Sequence, residues 1–365
     1  MKYFIICLVF LLMNSANAQW AEISETGLQL TEQTSEIIVE ADGLSSETHA
    51  QTFKVTNESG RNFIALHTIK YLPDSSKVTV LSASTVNGSV ETPVNLSTIQ
   101  ERSAGSAQQQ ALTGIKELVI PFTNLQIGSL VKYKFNLKKT KSILPGLYSA
   151  SLLYGAEFPE MKGDVTIRSK NDINHVTFDP QKFLSVAETI EDGWTVVRVK
   201  LLKPIVRIPK DKNPLVSLQS LPQVQFTTMK SWSTFAQGIA SKYEAVLADS
   251  NLPPMMQEIV SKAKLKQNDY DKIDIVTSEL ANQMTYSGNW SSVEQQFFPN
   301  TLKKIGSSKI GDCKDFATAT VAMLRKLGIH ADIALIHRSD PRNPYREVLS
   351  EPLNQTLPMP SLPLT

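Results

Sequence analysis

The apolar residues of this chain change their period part-way along, and that change limits what it can fold into. From about Thr48 to Leu201 the period is two. Val131, Tyr133, Phe135 and Leu137 alternate with Lys132, Lys134 and Asn136, which puts one set on the covered face of a strand and the other in water. Phe63, Ala65, His67, Ile69 and Tyr71 make a second such stripe. Further short runs follow at Lys116–Phe122, Leu147–Tyr154, Val165–Arg168, Val176–Phe178 and Thr195–Leu201. Turn-forming clusters separate them, among them Asn57-Glu58-Ser59-Gly60, Pro73-Asp74-Ser75-Ser76 and Asn87-Gly88-Ser89. Many short strands with regular turns predict an antiparallel β-sandwich. The polar stretch Glu101–Gln110 reads as a mobile loop within it.

Prolines at 204, 209, 214 and 222 mark a boundary. Beyond them the period becomes three to four. Trp232, Phe235, Ala236, Ile239, Ala240, Tyr243, Val246 and Leu247 outline an amphipathic helix. Met255, Ile259 and Ala263 outline a second, and Ile273, Val276, Leu280 and Met284 a third. The fold class is therefore multidomain, β followed by α+β.

The chain opens MKYFIICLVFLLMNSANA. Lys2, the apolar run Phe4–Met13 and the small-x-small Ala16-Asn17-Ala18 form a secretory leader, too short to span a membrane. The expected organisation is a signal peptide at 1–18, a β-sandwich at 19–202, a proline-rich linker at 203–230 and a second domain at 231–365. Export would place the protein in a periplasmic or extracellular setting. Cleavage would remove Cys7 and leave Cys313 with no internal disulfide partner. With 37 Lys+Arg against 35 Asp+Glu the net charge is +2, which gives no electrostatic case for nucleic acid or an anionic membrane surface.

The segment that carries chemistry is Gly311–Ile336, GDCKDFATATVAMLRKLGIHADIALI. Phe316, Ala319, Met323, Leu324 and Leu327 lie on one helical stripe, and Gly328 is placed to end the helix. Asp312 suits the N-cap, with Asp315 three residues on. Cys313 then falls in the first turn, where free N–H groups and the helix dipole favour an anion, the nucleophilic form of a thiol. Lys314 adds a positive charge there, and Asp312 and Asp315 act against it. Ala331–Ile336 reads as a buried strand. No Cys/His cluster has metal-ligand spacing, no glycine-rich loop suits a phosphate, and no cofactor is indicated.

Gly311-Asp312-Cys313-Lys314-Asp315, the helix and Leu327-Gly328-Ile329 resemble the nucleophile segment of bacterial transglutaminase-like domains. More narrowly, the chain resembles exported proteins in which a β-rich domain of unknown function precedes that module. The resemblance implies a papain-like fold and a Cys-His-Asp triad performing acyl transfer on a protein or peptide substrate. Cys313 would be the nucleophile, backbone N–H groups of its helix the oxyanion donors, and Trp290 or Tyr286 an oxyanion or subsite residue. In that family the His follows the Cys by some fifty residues in an Asn-His pair. Leu357–Thr365 resemble the loop just before it, so the module is expected to be incomplete and the chain as given inactive. His330 and His337 come too early to serve as base, and His49, His67 and His175 belong to the β half. The rival reading is a non-enzymatic envelope protein in which the sandwich binds a partner and a degenerate module is scaffold.

Overall fold

The computed structural model describes residues 20–21, 23, 25–106, 113–206, 208–209 and 221–335; the expected leader at Met1–Ala18, His337 and the C-terminal residues lie outside them. In chain order, β1 (Trp20–Ala21), β2 (Leu28–Val39) and β3 (Ser45–Val55) precede helix α1 (Glu58–Ile64). Then come β4 (Leu66–Tyr71), β5 (Ser76–Asn87), β6 (Val90–Pro93), β7 (Gln100–Ser103), β8 (Lys116–Pro121) and β9 (Leu130–Lys139). The last group is β10 (Ser149–Leu153), β11 (Gly163–Ser169), β12 (Asn174–Phe178), β13 (Leu184–Glu191), β14 (Trp194–Leu201), β15 (Ile208–Pro209) and β16 (Gln223–Thr227).

An eight-stranded sheet, β13-β14-β11-β2-β3-β9-β5-β6, forms the body of this half. Its neighbours run antiparallel except β11 and β2, which are parallel. Two three-stranded sheets cover it. β4-β8-β7 closes a core of Leu28, Phe53, Ile69, Ile120, Val131 and Tyr133, and β10-β16-β12 closes a second of Ile37, Tyr148, Ile167, Val197 and Phe226. The predicted Val131, Tyr133, Phe135 and Leu137 stripe is buried throughout. Asn87 pairs with Val90 across a two-residue turn in which Gly88 takes φ +59°, a conformation that suits glycine.

The sequence reading needs four corrections here. Phe63 stands on α1 and Ala65 is its C-cap, because Asn57 accepts a hydrogen bond from the Gly60 N–H and starts a helix where the sequence predicts a turn. Gln100–Ser103, at the head of the expected loop, are a strand held to β8, with Arg102 on Glu117 at 2.6 Å; residues 107–112 lie outside the described ones. The 203–230 stretch contains β16, which is the central strand of its sheet, paired with both β10 and β12. A proline-rich surrounding hid a strand whose apolar residues Val224 and Phe226 are fully buried. Finally, Ala331–Leu335 form no strand and Leu335 is exposed; no described strand lies alongside to pair with them.

The helical part comprises α2 (Trp232–Leu247), α3 (Pro254–Ala263), α4 (Asp269–Gln283), β17 (Thr285–Tyr286), α5 (Val293–Phe297), α6 (Leu302–Ser308), β18 (Ile310–Gly311) and α7 (Cys313–Lys326). Met256, Ile259, Val276, Leu280, Ile305, Ala319 and Met323 meet in its core. The periodic positions read from sequence supply most of that core. A separate cluster joins the two halves: Leu144 and Leu147 from the β half pack on Phe235, Ile239 and Tyr243 of α2. Gly238 lies so close to Leu144 that a Cβ there would be 2.8 Å from its Cδ1.

Candidate active site

α7 begins where the sequence places it. Asp312 is the N-cap, its carboxylate accepting from the Lys314 N–H at 3.2 Å, and the Asp315 carboxylate accepts in return from the Asp312 N–H at 3.2 Å. Asp315 is fixed further by the Asn300 N–H at 2.7 Å and the Asn300 amide at 3.2 and 3.1 Å. Gly311 can carry no side chain, since a Cβ would come within 2.6 Å of Asp315 Cβ. This double capping holds the first turn of α7 and leaves Cys313, its first residue, exposed as a free thiol.

The charges around the thiol are paired. Lys314 is buried, 9 % exposed, and its ammonium contacts the carboxylate of Asp312, which is 2 % exposed. Trp290 Nε1–H donates to the same carboxylate at 3.0 Å. The lysine charge that sequence placed beside Cys313 is thus neutralised by its own N-cap residue. Trp290, one of two aromatic candidates, has its single N–H engaged by Asp312, which leaves it no donor for an oxyanion. Gly288 makes room for its ring; a Cβ there would lie 2.2 Å from Cζ2.

Tyr286, the other candidate, does reach Cys313. The parallel pair β17–β18 sets Thr285 opposite Ile310 and Tyr286 opposite Gly311, and Ser287 N–H continues the pairing to Gly311 O at 2.9 Å. The residue as a whole is 61 % exposed, its ring lies 5.9 Å from the Phe316 ring, and its hydroxyl is within hydrogen-bonding reach of the Cys313 thiol and backbone. Burial of the hydroxyl, then the charge Cys313 can carry and the hydrogen bond with its thiol, raise the Tyr286 phenol above its usual range. It therefore stays a neutral donor at neutral pH.

Two neighbours carry no sequence signal for such a place. Tyr243, read only as a core residue of α2, donates from its hydroxyl to Phe297 O at 2.9 Å and is pushed up to about 12, first by burial and then by the negative charge of Cys313, Asp312 and Asp315. Asn300 shows its role only once Asp315 is known to face it. The described histidines lie elsewhere. His330 is exposed past the far end of α7, roughly 20 Å along the helix from Cys313. His67 is buried in the β core, His49 bonds Ser35 and His175 faces Glu188. Among the described residues no group of three or more His, Cys, Asp or Glu is arranged to hold a metal ion, and no helix is long and apolar enough to cross a membrane.

Comparison with known proteins agrees with this architecture. Residues 41–213 match the family model of a domain of unknown function, DUF3857, and residues 257–351 match that of the transglutaminase-like superfamily. No curated protein matches the sequence. Among solved structures, a "putative protease" from Parabacteroides distasonis ATCC 8503 superposes with a TM-score of 0.66 at 15 % identity, over 83 % of this chain and 59 % of that one. The chain thus spans 59 % of that protein's length, and at this identity the likeness is one of fold. An M1 zinc metallopeptidase from Deinococcus radiodurans aligns over 55 % of this chain and 42 % of its own at 12 % identity, with a TM-score of only 0.30, and nothing is inferred from it. Fold, capped cysteine helix and family models agree: the chain matches an N-terminal DUF3857 domain followed by a transglutaminase-like superfamily core.

Proposed function

We propose that Cys313 is the nucleophile of cysteine-dependent acyl transfer on a protein or peptide substrate, in an exported protein. The observation that carries this is the exposed thiol at the first position of a doubly capped helix, with the Tyr286 hydroxyl beside it. The thiolate attacks a carboxamide or peptide carbonyl, forming a C–S bond. The C–N bond then breaks, and the nitrogen takes a proton from solvent water and leaves as ammonia from a carboxamide or as an amine from a peptide. Water or a second amine attacks the thioester and releases the thiol, giving hydrolysis or cross-linking respectively. Developing charge on the carbonyl oxygen is met by the Cys313 N–H, which the Asp312 cap does not take, with Tyr286 as the side-chain donor. Trp290 acts through Asp312 and contributes an aromatic wall.

The test is mass-resolved labelling of Cys313 by iodoacetamide at pH 7, together with incubation with glutamine-containing peptides and a fluorescent primary amine. We expect Cys313 in the folded protein to label faster than in the denatured chain, and any peptide acyl adduct that forms to sit on Cys313 and be abolished by Cys313→Ala. Slow labelling in the fold with no adduct would reject the enzyme and favour the envelope scaffold.

A further inference from the structure

The DUF3857 half meets the segment beside the Cys313 site by polar contacts as well as through the Leu144–Leu147 cluster. The segment 287–298 carries Trp290 and forms one wall of the site. It is organised by its own turns: Asn289 Oδ1 accepts from Ser291 N–H and Oγ–H at 3.1 and 2.7 Å, and Gln296 Nε2 donates to Trp290 O at 3.0 Å. It is tied to α7 by Trp290 on Asp312 and to α2 by Tyr243 on Phe297 O. A further tie crosses to the β half. The Val293 N–H donates to Asp74 Oδ2 at 3.1 Å.

Asp74 stands in the turn between β4 and β5, and its other oxygen holds Lys141 Nζ at 2.6 Å. Lys141 in turn feels the charge of Glu294, next to Val293. Alongside, Gly114 of the β half approaches Ser291 so closely that a Cβ on it would lie 2.9 Å from Ser291 Cβ. A close steric fit at Ser291, a backbone hydrogen bond at Val293 and the field of the Lys141 ammonium at Glu294 therefore meet within four residues, 291–294. Backbone N–H groups of that kind need a partner, and here the partner belongs to the other domain.

We propose that Asp74 is a positioning residue of the Cys313 site, through which the β domain holds segment 290–294 and so keeps Trp290 hydrogen-bonded to Asp312. Asp74 touches neither the thiol nor a substrate; its effect passes along Val293, Trp290 and Asp312 to the first turn of α7. This assigns the β domain a part in the site's chemistry, and it rests on the reading of Cys313 as a nucleophile.

The test uses the full chain and iodoacetamide, with Cys313 resolved by peptide mapping. Asp74→Ala removes the acceptor and is expected to slow Cys313 labelling about three- to tenfold, the range of a coupling carried along a packed network. Asp74→Asn keeps an oxygen for the Val293 N–H and is expected to restore most of the rate. In a Trp290→Phe background, whose own rate is lowered, Asp74→Ala should add little, since both act on one hydrogen bond. Trp290 emission should change in Asp74→Ala and not in Asp74→Asn. If Asp74→Ala does not fold, Lys141→Ala, at a half-exposed surface position, should shift the rate the same way to a smaller extent. Wild-type labelling by Asp74→Ala, equal losses in the Ala and Asn variants, or an undiminished effect without Trp290 would each overturn the proposal. Failure of the nucleophile reading looks different: wild-type Cys313 would label no faster than in the denatured chain, while the Trp290 emission would still report on Asp74.

Discussion

At the scale of single residues, His67 shows how far burial can set a side chain against its usual chemistry. The sequence places it on a strand stripe, and the structure puts it in the β core with its ring 4.4 Å from that of Tyr133 and its Nε2 without a partner. Burial lowers it from 6.5 to about 4. Its folded value lies below its unfolded one, so the unfolded chain binds the extra proton between these limits. The stability it supports is complete above pH 6.5 and is lost as pH falls toward 4. Glu160 pulls the other way: burial raises it to about 7 against the hydrogen bond from Gly155 N–H, so its contribution is present below pH 4.5 and is lost as pH rises through 7. The effect of His67 is therefore isolated by comparing a variant with wild type. His67→Phe, which keeps a ring on Tyr133, should match wild type within about 1 kcal/mol at pH 7.5 and exceed it by about 2 kcal/mol at pH 5. Urea unfolding at the two pH values reads this, and an equal difference at both would show that the imidazole takes up its proton in the fold as readily as in the unfolded chain.

At the scale of elements, α7 was the most legible part of the chain and β16 the least. Asp312, Asp315 and Gly328 are local signals, each acting within one turn of its own helix, and the helix runs from Cys313 to Lys326 between them. The strand Gln223–Thr227 is stabilised by β10 and β12, more than forty residues upstream, which a local period cannot report. The same holds in the site. Cys313 announced itself through its cap, whereas Asn300 and Tyr243 acquire roles only from a tertiary contact, and Trp290 turned out to serve Asp312. The aromatic that reaches the thiol, Tyr286, is set there by a two-residue parallel pair too short to show a period. The cap makes a separate prediction. Asp315→Ala removes the acceptor of both the Asp312 and Asn300 N–H groups, and should cost about 1–2 kcal/mol. Asn300→Ala, which removes only the side-chain donor, should cost about half as much. Chemical denaturation of both variants measures the order; a larger loss for Asn300→Ala would mean that Asp315 is held chiefly by the amide and not by the helix cap.

At the scale of the molecule, two cores of different period meet at one small apolar cluster and at the Asp74 contact. The β half buries its residues between a long sheet and two short ones, and the helical half buries its own around α3, α4 and α7. Either core is large enough to hold its own elements. What makes them one body is Leu144 and Leu147 set against Phe235, Ile239 and Tyr243, and Tyr243 connects that cluster to Phe297 in the wall of the site. Truncating Leu144, 5 % exposed, leaves a cavity there and removes contacts that neither core can replace. Leu144→Ala should thus cost about 2–4 kcal/mol, and the loss should fall on the coupling between the halves. Differential scanning calorimetry is expected to show one cooperative transition in wild type and two in Leu144→Ala, with the helical half melting first because it has lost the face that covers Phe235 and Ile239. A single transition shifted as a whole would place Leu144 in the β core alone. Two transitions already present in wild type would mean that the domains are independent, and would remove the mechanical basis for any influence of Asp74 on Cys313.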